Sequence, residues 1–442
     1  MHYPNFPQQP PHQPGVPPGQ PQPGYYQQQW GPHGYMPYPP GKPPHKRRTG
    51  LIVTLSLLGV VLLGAGAVTA VTLASGDEQK QQEKAGPLLP LAPGEGTPAR
   101  YGPVEARNAC QMIPVEFLVQ QGFTLEGDSD IWERLPDPHT SVEPVTQEPG
   151  SMFMGLSSCA VFFADGGRVD IDIKRPPYNT SEEIAKTIEM YEEDGQPPYT
   201  EHGWEIYLLP DEDDPKWVDG ALRKGDTVVQ TLFGNSSNLP DGRSQDLAKQ
   251  VLSRIAAALE QPPAPPNVAT YPAPYGRVPD PCEALTAEDL SSMVGLPDSG
   301  VIEREWTVGE VRLLDRGMAQ TGRFVETKCR RTSQQRDLFD DVGGLGLTLQ
   351  TFRDERIAGM ALDQYLDPAA KVSVFGGPAR TLPETVGDSQ ALAVTRLDQE
   401  STYLFRVGRH LVHFQDAKMD DAALSAKYSA VAKAVAERLR TL

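Results

Sequence analysis

The sequence predicts an α+β fold: two similar disulfide-containing domains, each with helices packed on an antiparallel sheet, plus one transmembrane helix and a disordered N-terminal tail. Three observations carry this reading. An uncharged apolar run occupies 49–76, the segments 105–261 and 278–442 repeat one order of helix and strand patterns, and four cysteines fall two to each segment. A length of 442 residues, at roughly 150 per domain, agrees with more than one folded unit.

Residues 1–48 open the chain. Up to Gly41 they contain no Lys, Arg, Asp or Glu, but 13 Pro, 8 Gln and 6 Gly, with aromatics such as Tyr25, Tyr26 and Trp30 interspersed. No aliphatic periodicity offsets the entropy of ordering this backbone, so a disordered tail of polyproline-II character is expected. Lys42, Lys46, Arg47 and Arg48 then precede the apolar run. About 20 helical residues cross a hydrocarbon layer of roughly 30 Å, and 49–76 exceeds that. The run is too long and begins too late for a secretory signal peptide. Basic residues before it and Asp77-Glu78 after it place the tail in the cytoplasm and the C-terminal portion outside.

Residues 77–104 read as a linker, and 262–277 as a second, stiffer one because of its prolines. Between and after them the repeat unfolds in step. Cys110 with Ile113 and Leu118, and Cys282 with Leu285 and Leu290, mark short opening helices ending near Gly122 and Gly295. Thr286 with Asp289 resembles a capping arrangement. Val169, Ile171 and Ile173 alternate with polar residues, as do Leu345, Leu347 and Leu349, which predicts strands with one buried face. Helices over Ile184–Tyr191 and Ala361–Leu366 follow. Glycine hairpins come next, around Gly225 and Gly408, and then closing amphipathic helices on Leu247, Val251 and Ile255 and on Leu424, Tyr428 and Val431. Each segment is expected to be self-contained.

Four cysteines allow three pairings. Repeat order selects Cys110–Cys159 and Cys282–Cys329, which clip each opening helix to its own central strand region, in the oxidising compartment that the topology implies.

Asp280-Pro281-Cys282 followed by Leu285-Thr286 resembles the opening of an actinobacterial family of exported or lipoprotein domains of unknown function. Val386-Gly387-Asp388 with Ala391-Leu392, and Arg406-Val407-Gly408, are also similar to that family. The first segment departs from it with Asn108-Ala109, and only Asp219-Gly220-Ala221 echoes the later motif. The fold remotely resembles extracellular sensor domains of mycobacterial receptor kinases. The resemblance implies an exported location and a fold, not a chemistry.

A formal charge of −18 and a pI near 4.9 exclude a nucleic-acid binder, which needs positive surface against phosphate. Charge is unevenly shared: 12 bases against 29 acids in 105–261, and 21 against 25 in 277–442. The nucleophile, zinc, penicillin-binding and P-loop motifs of familiar enzymes do not occur. No cofactor is implied. His410 and His413 sit three apart on a strand pattern and therefore point to opposite faces. Asp211, Glu212, Asp213 and Asp214 lack the spacing of a calcium loop. Arg323, Lys328, Arg330, Arg331 and Arg336 surround Cys329 as a basic cluster able to dock an anionic group, or to serve as a solvated face. The expectation is a membrane-anchored extracellular binding or sensing module of a bacterial cell envelope. It is non-catalytic, with an unknown envelope ligand or protein as partner. An envelope hydrolase with a dispersed carboxylate site, or a structural envelope protein with an interacting tail, are the alternatives.

Overall fold

The alternating segments form strands whose inward residues are buried, and the i, i+3/i+4 segments form helices laid across them. The computed structural model describes residues 92–125, 130–139, 155–211, 214–234, 236, 243–271, 273–315, 318–333, 344–366, 379–395, 401–416 and 419–442. The expected tail, transmembrane helix and most of the first linker lie outside the described residues. Among the described residues, no helix is long and apolar enough to cross a membrane.

The first half contains α1 (Val115–Gln120), β1 (Asp130–Pro136), β2 (Ser157–Phe162), β3 (Arg168–Lys174), α2 (Ser181–Asp194), β4 (Tyr199–Glu201), β5 (Trp204–Pro210), β6 (Trp217–Lys224), β7 (Thr227–Gly234) and α3 (Ser244–Leu259). The second contains α4 (Pro281–Ala284), α5 (Ala287–Val294), β8 (Asp298–Asp315), β9 (Met318–Ser333), β10 (Gly344–Phe352), α6 (Glu355–Leu366), β11 (Arg380–Val386), β12 (Ser389–Thr395), β13 (Ser401–Val407), β14 (His410–Asp416) and α7 (Asp421–Leu439). The local signals explain several ends. Thr286 and Asp289 complete a capping box on α5, which stops at Gly295 in the left-handed conformation, φ 74°. Thr180 and Glu183 do the same at the start of α2.

All fourteen strands join one antiparallel sheet in the order β11-β12-β13-β14-β10-β9-β8-β1-β2-β3-β7-β6-β5-β4. Counted outward from the centre, each half runs first, second, third, seventh, sixth, fifth and fourth strand. The repeated order of elements read from sequence is therefore present in the topology. One sheet face carries α1 and α3 over the first core, and α5 and α7 over the second. The opposite face carries α2 at one end, on Tyr207, Ala221 and Val228, and α6 at the other, on Phe352, Leu404 and Leu411.

Two expectations need correction. The halves are not separately built: β1 and β8 pair from Ile131↔Trp306 to Pro136↔Val301. Trp306 and Val325 sit in the first core and Leu135 in the second. Each half alone would leave its first strand with unpaired backbone N–H and C=O groups, and fusion satisfies both edges at once. Nor is 262–277 a free spacer. Asn267–Val268 pairs with Ala92–Pro93, Thr270–Tyr271 pairs with Gly276–Arg277, and Tyr271 is buried in the first core. Proline-rich chain needs few backbone donors satisfied, so it lies well as a strap across a finished surface. The two outer edges are blunted: β4 is three residues long after Pro197-Pro198, and β11 carries Pro383 and a register shift between Thr381 and Thr385.

Candidate functional site at the junction of the two halves

The centre of the β1–β8 pairing brings Glu133 opposite Arg304. These two residues are equivalent in the repeat, because Glu133 also faces Cys159 across β2 and Arg304 faces Cys329 across β9. Both are buried, with side-chain exposures of 0% and 5%. Arg304 Nε donates to Glu133 Oε2 at 3.0 Å, a second guanidinium nitrogen reaches the same oxygen, and Nη1 donates to Asp280 Oδ2 at 2.6 Å. Glu133 Oε1 accepts from Asn108 Nδ2 at 2.7 Å and from Asn267 Nδ2 at 3.0 Å. Burial pushes the Arg304 guanidinium down, but the Glu133 and Asp280 carboxylates outweigh it and the net shift is upward. The ion pair is thus fully hydrogen-bonded, the condition for a buried charge to be tolerated. Asn108 and Asp280 do double duty: Asn108 also caps the short 3-10 helix Ala109–Gln111 and Asp280 caps α4, accepting from the backbone N–H of Cys110 and Cys282 at 2.9 and 2.8 Å.

A second ion pair crosses the junction. Arg331, the largest fully buried side chain, places Nη2 2.7 Å from Asp137 Oδ2 of the first half and Nη1 3.3 Å from Asp298 Oδ2 of the second. Its Nε donates to the Leu285 carbonyl at 2.5 Å.

The predicted disulfides are both present, Cys110–Cys159 and Cys282–Cys329, with Cα separations of 5.0 and 5.2 Å. The basic cluster around Cys329 does not converge. Arg331 is interior and already paired, whereas Lys328 and Arg330 point to the other face. Lys328 Nζ lies 2.5 Å from Glu305 and 3.4 Å from Glu326, and Arg323 offers its carbonyl to the Tyr275 hydroxyl. Arg336 lies outside the described residues. Alternation along β9 separates residues that adjacency in sequence grouped together.

On the reverse face of the junction, between α2 and α6, a row of half-exposed side chains crosses both halves: Asp170, Trp132, Glu305, Lys328 and Thr348, with buried Ala160 between the first two. In the parallel row Ser158 and Arg134 are buried, with Arg134 against the Tyr178 ring, while Glu303, Arg330 and Gly346 are half-exposed. Arg134, Glu303 and Arg330 alternate in charge from strand to strand, as cross-strand pairing favours. Asp130, beside Trp132, is raised by burial, which with Glu305 and Glu326 outweighs the help of Thr307 and Lys328. Lys328 is itself lowered by burial and raised further by its two glutamates, for a net rise. This strip combines an aromatic ring, carboxylates, an ammonium and a guanidinium in one plane that spans the repeat.

Other titratable groups lie apart from it. Under the first turn of α2, Lys174 is held below its usual range by burial, against the pull of Asp172 and Glu183. Asp172 is raised by burial and accepts from Ser158 Oγ and Gly155 N. Burial, then Asp211 and Asp170, push the Asp219 carboxyl up to about 6. His410 and His413 point to opposite faces, as alternation requires. His410 is pushed down to about 4 by burial and by Arg409, and its Nδ1 lies 2.9 Å from Thr351 Oγ1. A shallow depression of about 410 Å³ sits between β4 and α3, lined by Tyr199, Glu201, Lys249, Gln250, Ser253 and Arg254, with Ser253 Oγ donating to Glu201. Among the described residues, no group of three or more His, Cys, Asp or Glu side chains is placed to hold a metal ion.

The residues that carried the family resemblance have a local physical role. Gly387 forms a parallel bridge with Arg406, Asp388 N donates to the Arg406 carbonyl at 2.8 Å, and Asp388 Oδ2 accepts from Gly408 N at 2.6 Å. The motif therefore locks the β11–β12 turn onto the β13–β14 turn. Asp219-Gly220-Ala221 is not its counterpart: it lies inside β6, and the matching turn of the first half is His202-Gly203. No known protein family, curated protein or solved structure matches this chain.

Proposed function

We propose that the chain is a membrane-anchored, extracellular binding module of a bacterial cell envelope, with its contact surface on the half-exposed strip of the junction. The apolar run at 49–76 with its basic flank supports the anchor and orientation. The Asp-Pro-Cys opening supports kinship with exported actinobacterial domains. The observation that carries the binding reading is the half-exposed Trp132 set among Asp130, Glu305 and Lys328 on the sheet face left between α2 and α6. A flat strip of this kind suits an extended envelope polymer or a protein surface better than a small molecule, which prefers concavity.

Photo-crosslinking in intact cells tests it. A benzophenone amino acid at Trp132 or Thr348 is expected to give discrete envelope adducts, and one at exposed Lys427 on α7 is not. Equal labelling at all three positions, or none at the strip, overturns the assignment. One observation favours a hydrolase instead: Asp219, at about 6, sits near Asp170 and Asp211 in the range of a general acid. Release of soluble fragments from purified envelope by the wild-type chain, abolished in Asp219→Asn, would replace binding with catalysis.

A further inference from the structure

We propose that Glu133 and Arg304 are a recognition key on the two first strands, which lets each half pair only with the other half and keeps it from pairing with its own kind in a second copy of the chain. The two residues occupy the same slot of the repeat and meet at the centre of an antiparallel pairing. Any like-with-like contact in that register places the slot against itself. Two β8 strands would then oppose Arg304 to Arg304 and Glu303 to Glu305, and two β1 strands would oppose Glu133 to Glu133. Like charges buried together lack the compensation that a buried ion needs. In the observed pairing each meets its opposite.

The neighbouring helix caps have diverged to match. Asp280 lies against Arg304, whereas Asn108 occupies the equivalent place against Glu133, where a second carboxylate would repel the first. Asn and Asp cap equally well, and both caps are kept. Capping therefore does not account for the difference, and the charge of the adjacent key residue does. Edges that pair freely make chains join into continuing sheets, and a polar key that fixes register and partner is a known remedy.

The test is refolding of the full chain from urea with both disulfides intact, over a range of concentrations, read by size-exclusion with light scattering and by the folding equilibrium. Glu133→Arg and Arg304→Glu alone are each expected to lower the folding equilibrium by roughly 100-fold or more. The fourfold exchange N108D/E133R/D280N/R304E is expected to recover most of that loss. The pair E133M/R304M, which fills the slots with apolar side chains, is expected to stay folded yet to give severalfold more chain-to-chain species than wild type, increasing with concentration. A fourfold exchange no better than the single reversals overturns the proposal. So does an E133M/R304M chain that refolds with the wild-type size distribution.

Discussion

At equivalent places the two halves use different chemistry on the same backbone. Glu133 stands where the second half has Arg304, and Val161, opposite Ile131, stands where the second half has Arg331, opposite Ile302. At the far ends, the turn between β4 and β5 is His202-Gly203, where a Cβ added at Gly203 would come near only Lys224, whereas the turn between β11 and β12 is locked onto its neighbour through Gly387 and Asp388. The strands, their order and the disulfides are shared, so these are properties that the fold requires. The charges differ, and they differ where one half touches the other. The two halves thus repeat one strand order, and at a few inward slots their charges complement each other across the junction.

The largest expected effect comes from making the second half resemble the first at Arg331. Arg331→Val installs the apolar side chain that the matching site, Val161, already accepts, but it leaves Asp137 and Asp298 buried without their cation. Asp298 is already raised by burial in spite of Arg331. A loss of about 3–5 kcal/mol in urea unfolding is expected, with part of it regained by adding Asp137→Asn and Asp298→Asn. A loss below about 1 kcal/mol would mean that the ion pair is not what distinguishes the two sites.

Much of this comparison was legible in the sequence, and the reasons for the remainder are physical. The cysteine spacing gave both disulfides, and the alternation of Val169–Ile173 and Leu345–Leu349 gave two strands and their faces. These signals are local, and each half repeats them. The fused sheet leaves no periodic trace, because the pairing of the two edge strands depends on residues such as Glu133 and Arg304, 171 positions apart. A signal did exist: Ile131, Glu133 and Leu135 alternate as Ile302, Arg304 and Trp306 do, with opposite charges in the central inward slot. A buried charge in an apolar alternation demands a partner, and its mirror in the other half was the partner. Arg331 was grouped with Lys328 and Arg330 by adjacency, although alternation along one strand sends neighbours to opposite faces. The composition of the Pro-rich segment reports its stiffness and not its contacts with Ala92–Pro93 and the first core.

A smaller effect sharpens the contrast between the two outer turns. Gly387 has φ 62°, and an added Cβ would meet the Arg406 carbonyl oxygen at 2.3 Å; Gly203 has φ 77°, and its Cβ would meet nothing closer than Lys224 Nζ at 3.6 Å. Both Ala substitutions incur the left-handed backbone penalty of about 1 kcal/mol. Gly387→Ala alone must also separate two locked turns, for a total of about 2–3 kcal/mol. Thermal unfolding of the two variants side by side measures the difference. Equal losses would show that the Asp388–Gly408 lock contributes nothing beyond backbone strain.

The smallest expected effects are opposite in sign and divide the halves by pH. Asp219 of the first half has its folded pKa raised to about 6 from 3.8, so the folded state binds the proton more tightly than the unfolded chain. Its favourable contribution is complete below about pH 3.8 and is lost as pH rises through 6. Asp219→Asn is therefore expected to match wild type near pH 4 and to exceed it above pH 7 by about 1 kcal/mol, the full shift being reduced by solvent screening of the partly exposed carboxyl. His410 of the second half has its folded pKa lowered to about 4 from 6.5, so the unfolded chain takes up the proton first. Its contribution is present above about pH 6.5 and is lost as pH falls through 4. His410→Gln, which keeps a partner for Thr351 and carries no proton to gain, is expected to flatten the decline between pH 6.5 and 4 and to change little at pH 8. Urea midpoints across pH 4–8 separate the two arms. If Asp219→Asn gained at pH 4, or His410→Gln left the acid decline unchanged, the titrating group in that half would lie elsewhere. The first half would then have to draw its pH response from Asp172 and Lys174, which are buried together under α2.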